Sequence, residues 1–189
     1  MSKILLQVYQ FLENSRSNGP GLRAVLWVQG CALGCPACFN SQTHPFEGGE
    51  FIAVEDLIQR FVALKNTIEG ITISGGEPLQ QSTALLALLQ AIKQQTTLSV
   101  LLFSGFTWGE IQAMPQTPTL LNCIDVLIAG RYDQTQRLGY GLQGSANQTI
   151  HLLTDRYTLS DLEAVPPTEV IITPTGEVII SGIDPLKIS

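Results

Sequence analysis

Apolar positions come in short runs separated by glycine-rich loops, and the runs alternate between two periods. Residues 22–28 (Leu-Arg-Ala-Val-Leu-Trp-Val) predict a strand leading into a loop of three cysteines, with Gly30 as its turn residue. Residues 54–66 carry apolar side chains at Val54, Leu57, Ile58, Phe61, Val62 and Leu64, the stripe of an amphipathic helix. Residues 70–74 form a β-branched run that ends at Gly75-Gly76-Glu77-Pro78, and Pro78 suits the first turn of the helix predicted over 79–95. The pattern repeats with a strand over 98–103, a short helix over 107–114 and a strand over 124–129.

Strands and helices alternating at this spacing predict parallel βαβ units, an α/β fold. Such sheets bind ligands beyond the C-terminal ends of their strands. The unusual residues cluster there: the cysteine loop, Gly75-Gly76-Glu77 and Ser104-Gly105-Phe106 each follow a strand. After Gly130 the alternation stops, and 131–148 is rich in Gly, Gln, Tyr and Asn without a helical period. Residues 169–172 and 178–181 read as a hairpin around Thr173-Pro174-Thr175-Gly176, with 161–167 as a hinge before it.

Composition narrows the classes. A chain of 189 residues with 44% hydrophobic and 14% charged residues predicts a well-buried domain rather than disorder. A formal charge of −6 lacks the basic footprint of a nucleic-acid binder. No apolar run reaches the length of a membrane span, and the opening Met-Ser-Lys-Ile-Leu-Leu-Gln is too short for a signal peptide. The expectation is a cytoplasmic protein with neither nucleic acid nor membrane as partner.

Three of the four cysteines lie in Cys31-Ala-Leu-Gly-Cys35-Pro-Ala-Cys38. In a reducing compartment this crowding reads as metal-binding thiols, not as a disulfide framework. Thiolates favour zinc, copper(I) and iron–sulfur clusters, and tetrahedral zinc or a cubane cluster takes four ligands. Two readings follow. Structural zinc could recruit Cys123 or His44 as the fourth ligand. Alternatively the fourth position stays open for a molecule that reacts. Paired glycines at Gly75 and Gly76 let backbone approach a ligand, and Glu77 adds negative charge suited to an ammonium group.

These motifs together resemble the radical S-adenosylmethionine (radical SAM) enzymes, which carry a Cys-x3-Cys-x2-Cys loop followed by a Gly-Gly-Glu strand end. More narrowly, the chain is similar to the activating enzymes of glycyl radical enzymes, and above all to those serving anaerobic ribonucleoside-triphosphate reductase. Asn18-Gly-Pro-Gly-Leu-Arg23, Gly30-Cys31 through Cys38-Phe39-Asn40, Gly48-Gly49, Ser104-Gly105-Phe106-Thr107-Trp108, Asp125-Val126-Leu127-Ile128 and Gly144-Ser145-Ala146-Asn147-Gln148 carry the likeness. Ala37 stands where many radical SAM enzymes have an aromatic residue, which favours the narrower group. The chain also runs past where that minimal family ends.

The resemblance implies a partial (β/α) barrel over 1–153, with 154–189 as a C-terminal extension containing the hairpin. It implies a [4Fe–4S] cluster on Cys31, Cys35 and Cys38, with S-adenosylmethionine on the unprotected iron. Ala37, Phe39 and Asn40 would lie along its adenine side, and Gly75, Gly76 and Glu77 along its methionyl amino group. The implied partners are a glycyl radical enzyme, foremost anaerobic ribonucleotide reductase, and flavodoxin or ferredoxin as electron donor. A radical SAM enzyme of small molecules or peptides, and a zinc or electron-transfer protein, are the alternatives. Trp27, Phe103 and Trp108 read as core aromatics and His151 as an ordinary strand residue. Arg23 reads as a loop hydrogen bond or a surface charge.

Overall fold

The computed structural model describes residues 3–173 and 175–183. Strand β1 (Leu5–Ser15) lies antiparallel to β2 (Arg23–Val28) on one side and to β3 (Glu50–Ala53) on the other. Helix α1 (Val54–Leu64) follows β3 directly and leads to β4 (Gly70–Gly75), parallel to β2. A 3-10 turn over Pro78–Gln81 opens α2 (Ser82–Gln95), and β5 (Ser99–Ser104) lies parallel to β4. Short helices α3 (Trp108–Gln112) and α4 (Thr117–Leu121) lead to β6 (Val126–Ala129), parallel to β5. Strand β7 (Thr149–Leu152) pairs antiparallel with β6. These seven strands form one sheet in the order β3-β1-β2-β4-β5-β6-β7. Helix α5 (Leu159–Glu163) and an antiparallel hairpin of β8 (Glu169–Ile172) and β9 (Val178–Ser181) complete the described chain.

Register assigns each sheet residue to a face. Leu26, Ile73, Leu102 and Leu127 lie side by side on the face covered by the helices. There they pack with Phe61 of α1 and Leu85, Leu88 and Leu89 of α2, all fully buried. Truncating such a leucine to alanine costs about 2–5 kcal/mol. On the other face Leu101, Val126 and Ile128 pack against Leu142, Tyr157, Leu162 and Val165. The face opposite α1 and α2 is therefore covered in part by residues after Leu153, Leu162 of α5 among them.

Several expectations change here. Arg23 is no surface charge: it is fully buried at the start of β2. Its guanidinium donates to Thr72 Oγ1 at 2.9 Å, Ser99 Oγ at 2.9 Å, Tyr157 Oη at 3.1 Å and the carbonyls of Ile71 and Pro20. Burial lowers its pKa, and the hydrogen-bonded Tyr157 opposes that shift. The 161–167 hinge is instead packed structure, since α5 includes Asp161 and both Leu162 and Val165 are buried. The hairpin forms with the expected strands, although Pro174 of its turn lies outside the described residues. No helix among the described residues is long and apolar enough to cross a membrane.

Candidate functional site

The C-terminal ends of β2, β4 and β5 meet around a cavity of about 340 Å³, within the roughly 300–1,000 Å³ of small-molecule clefts. Cys31, Cys35, Cys38, Phe39, Asn40, Gly75, Gly76 and Glu77 all line it. Ala37 does not: it sits exposed on the loop in the left-handed region at φ +55°. A residue with a Cβ is strained there, so Ala37 shapes the turn between Cys35 and Cys38 rather than a wall.

The cysteine loop is stapled at its base. Gly30 N donates to Thr43 O at 2.8 Å and Cys31 N to His44 O at 2.9 Å. Ala32 N donates to the Gln80 side chain at 3.0 Å, tying the loop to the turn before α2. Burial pushes the Cys31 and Cys38 thiols up, and coordination to a cation would offset that penalty while releasing protons. Among the described residues no three His, Cys, Asp or Glu side chains form a ready metal cage. The three thiols line one cavity. In donor chemistry the three thiols fit a thiolate-bound cluster. Cys123 cannot serve as the fourth ligand, because it is buried among helix-side residues and its thiol faces Thr119 O.

The Gly-Gly pair meets a need inside the fold. Gly76 N donates to Val28 O at 2.8 Å and Glu77 N to Gly30 O at 2.9 Å, so the end of β4 lies against the root of the cysteine loop. Gly75 has φ +103°, and a Cβ there would stand 2.5 Å from Val28 backbone atoms. The close approach expected toward a ligand is thus also an approach of backbone to backbone.

Glu77 is fully buried. Its Oε1 accepts from Leu79 N and Ser104 Oγ, both at 2.9 Å, and its Oε2 from Gly105 N at 2.7 Å. Burial pushes its pKa up to about 7 despite these donors. Glu77 therefore joins the β4 and β5 rims and can change charge near neutrality. Oε2 keeps capacity for a further donor from the cavity.

Other lining residues carried weaker sequence signals. Trp27 and Phe103, expected in the core, line the cavity because alternation turns them to the face opposite α1 and α2, where Phe103 also packs against the Leu101 cluster. Phe39 packs on Tyr132 with ring centres 4.5 Å apart, and the Arg137 guanidinium lies 5.3 Å from the Phe39 ring. Gln148 closes the opposite rim, accepting from Gly144 N at 2.8 Å and donating to Gly130 O at 2.8 Å. Ile179, Ile180, Ser181, Gly182 and Ile183 also reach the cavity. No motif in the sequence marks them.

Comparison with known proteins finds a family, several sequence relatives and a solved structure. The 4Fe-4S single cluster domain family matches residues 17–151. An anaerobic ribonucleoside-triphosphate reductase-activating protein of Vibrio cholerae is 33% identical over 156 residues, covering 79% of this chain and 99% of that one. The protein of the same description in Enterobacteria phage T4 is 30% identical, covering 73% and 88%. The pyruvate formate-lyase-activating enzyme of Clostridium pasteurianum is 32% identical over 99 residues, half of this chain and 42% of that one. A solved structure, QueE from Escherichia coli, aligns over 55% of this chain and 54% of its own at TM-score 0.44 and 17% identity. With the cysteine loop inside the matched span, the chain belongs to the 4Fe-4S single cluster domain family, among the anaerobic ribonucleoside-triphosphate reductase-activating proteins.

Proposed function

We propose that this protein is a radical SAM enzyme that generates a glycyl radical on anaerobic ribonucleoside-triphosphate reductase. One observation carries the reading: three thiols and Gly75-Gly76-Glu77 share a single cavity in a chain whose relatives carry that activating role in their names. The sheet is read as a partial barrel of radical SAM type, residues 1–153, with 154–189 as an extension to it.

Cys31, Cys35 and Cys38 would hold a [4Fe–4S] cluster, leaving one iron to the amino and carboxylate groups of S-adenosylmethionine. With both groups bound, the chemistry supplied is one-electron cleavage of the sulfonium S–C5′ bond to methionine and a 5′-deoxyadenosyl radical. Gly75 and Gly76 offer backbone to the methionyl amino group. Glu77, ionised above pH 7, offers it a carboxylate oxygen. Phe39 and Tyr132 form an aromatic surface for adenine, with Asn40 beside them and the Ala37 bend setting their course. The glycine Cα–H of the partner must come within contact distance of C5′, so that its hydrogen completes 5′-deoxyadenosine and the unpaired electron remains on the partner. Flavodoxin or ferredoxin, as a low-potential donor in the cytoplasm, supplies the electron.

The test is anaerobic incubation of the reconstituted protein with S-adenosylmethionine, reductant and the reductase. A glycyl doublet in the EPR spectrum is the expected result. Deoxyadenosine formation without that doublet would point instead to a small-molecule or peptide substrate.

A further inference from the structure

We propose that the hairpin β8–β9, fastened by Glu169, is a built-in side wall of the cavity that restricts the direction from which a partner loop can reach it. The family match stops at residue 151, and the Vibrio cholerae relative is spanned almost whole by 79% of this chain. The hairpin therefore lies outside the matched domain. It nevertheless contributes Ile179, Ile180, Ser181 and Gly182 to the same cavity as the three cysteines.

Its attachment is specific. The Glu169 carboxylate accepts from the hydroxyls of Ser15 and Ser17 and from the backbone N–H of Arg16 at 2.9 Å. At the other strand Asn18 Nδ2 donates to Ser181 Oγ at 2.6 Å and also to Ser15 Oγ at 2.7 Å. Asn18 itself lines the cavity, so one polar chain runs from Glu169 through Ser15 and Asn18 to Ser181. Gly182, at φ +123°, lies against Pro167, where a Cβ would stand 2.2 Å from the carbonyl oxygen. Both strands are thus fixed at the open end of the hairpin, where Glu169 pairs with Ser181. A charged acceptor with several donors is a strong fastening, worth more than neutral hydrogen bonds of the same number.

Pairing gives the hairpin two faces. Glu169, Ile171, Ile179 and Ser181 share the attached face, less exposed than the opposite face of Val170, Ile172 and Val178, on which Ile180 alone is half-buried. Leu142, Tyr157, Leu162 and Val165 cover β5 and β6 on the side of the sheet opposite α1 and α2, and the hairpin stands at the cavity beside them. Glu169 acts as a positioning residue, since it reaches the cavity only through the segment it holds. The role in partner approach rests on the radical-generating function proposed above; the wall itself does not.

The test uses full-length chain carrying W108F, which leaves the cavity-lining Trp27 as the single tryptophan. Acrylamide quenching of Trp27 before cluster reconstitution is expected to rise about threefold in E169A, with E169Q between the two, following loss of the charged acceptor. The reconstituted enzyme should then release more deoxyadenosine per glycyl radical formed in E169A, with partial recovery in E169Q. S181A, which removes the Asn18 contact alone, should shift both readings the same way by a smaller factor and decides the matter if E169A unfolds. Unchanged quenching in both variants overturns the wall. Raised quenching with an unchanged deoxyadenosine-to-radical ratio overturns its role in partner approach. Raised quenching with no deoxyadenosine from any form, wild type included, supports the wall and contradicts the radical-generating function.

Discussion

A Cβ on Gly76 would stand 2.2 Å from the carbonyl oxygen of Gly30. Two motifs far apart in sequence, the Gly-Gly-Glu strand end and the cysteine loop, are thereby set against each other through backbone alone. Replacing Gly76 with alanine forces backbone atoms apart at the root of the loop. The expected cost is at least about 2 kcal/mol in urea unfolding, as for other strained backbone sites. Iron incorporated on reconstitution should fall in parallel. Full stability and full iron content would show that the two segments can separate freely.

Glu77 gives the protein a pH dependence of definite sign. Its folded-state pKa of about 7 lies above the ordinary 4.5, so the folded state holds this proton more tightly than the unfolded chain. Its contribution to stability is complete below pH 4.5 and is lost as pH rises to 7, a difference of about 3 kcal/mol. Urea unfolding between pH 5 and 7.5 should show the decline, and E77Q should flatten it. Binding of a cationic ligand runs the other way. S-adenosylmethionine affinity should strengthen by up to about fivefold between pH 6 and 7 in wild type but not in E77Q.

Arg23 binds the starts of β2, β4 and β5 to Tyr157 beyond the family domain. R23M strands buried acceptors and should cost about 3–5 kcal/mol, in the range of broken buried charge networks. Y157F removes one hydroxyl that also donates to Glu69 at 2.6 Å, and should cost about 1–2 kcal/mol. Equal and small effects, measured by thermal and urea unfolding, would contradict a shared network.

How far the sequence could be read depended on period and local chemistry. The parallel strands β2, β4, β5 and β6, and the helices α1 and α2, announce themselves through β-branched runs and a helical stripe, and each lies within a few residues of its predicted span. Strand β1 gives no such signal. Its register shifts between Val8 and Gln10 and again between Leu12 and Ser15, which breaks the alternation a reader would count. β3 runs into α1 without a turn residue, and the five-residue α4 and α5 are too short to show a period. In the site, cysteine spacing and Gly-Gly-Glu are legible because their chemistry is local, and the structure brings both to one cavity. Phe103 packs on the Leu101 cluster as expected but also faces the cavity, and Trp27 lies outside both core clusters, since an apolar residue on a strand does not say which face of the sheet is open. The hairpin's place at the cavity depends on Glu169 finding Ser15 and Ser17, a pairing over 150 residues apart that no local pattern records.

Cys35→Ala removes one of three thiols from a half-buried loop and touches no core cluster. Far-ultraviolet circular dichroism should match wild type, while reconstituted iron and acid-labile sulfide drop and deoxyadenosine formation ceases. Persistent S-adenosylmethionine cleavage in this variant would contradict the ligand assignment.

The most direct test of the central claim is EPR of the anaerobically reconstituted, reduced protein during titration with S-adenosylmethionine. A [4Fe–4S]⁺ signal whose g-values change as the molecule binds is the predicted result, because the proposed three-cysteine site would leave one iron without a protein ligand. A spectrum that does not respond, or a metal content of one zinc without sulfide, would contradict it.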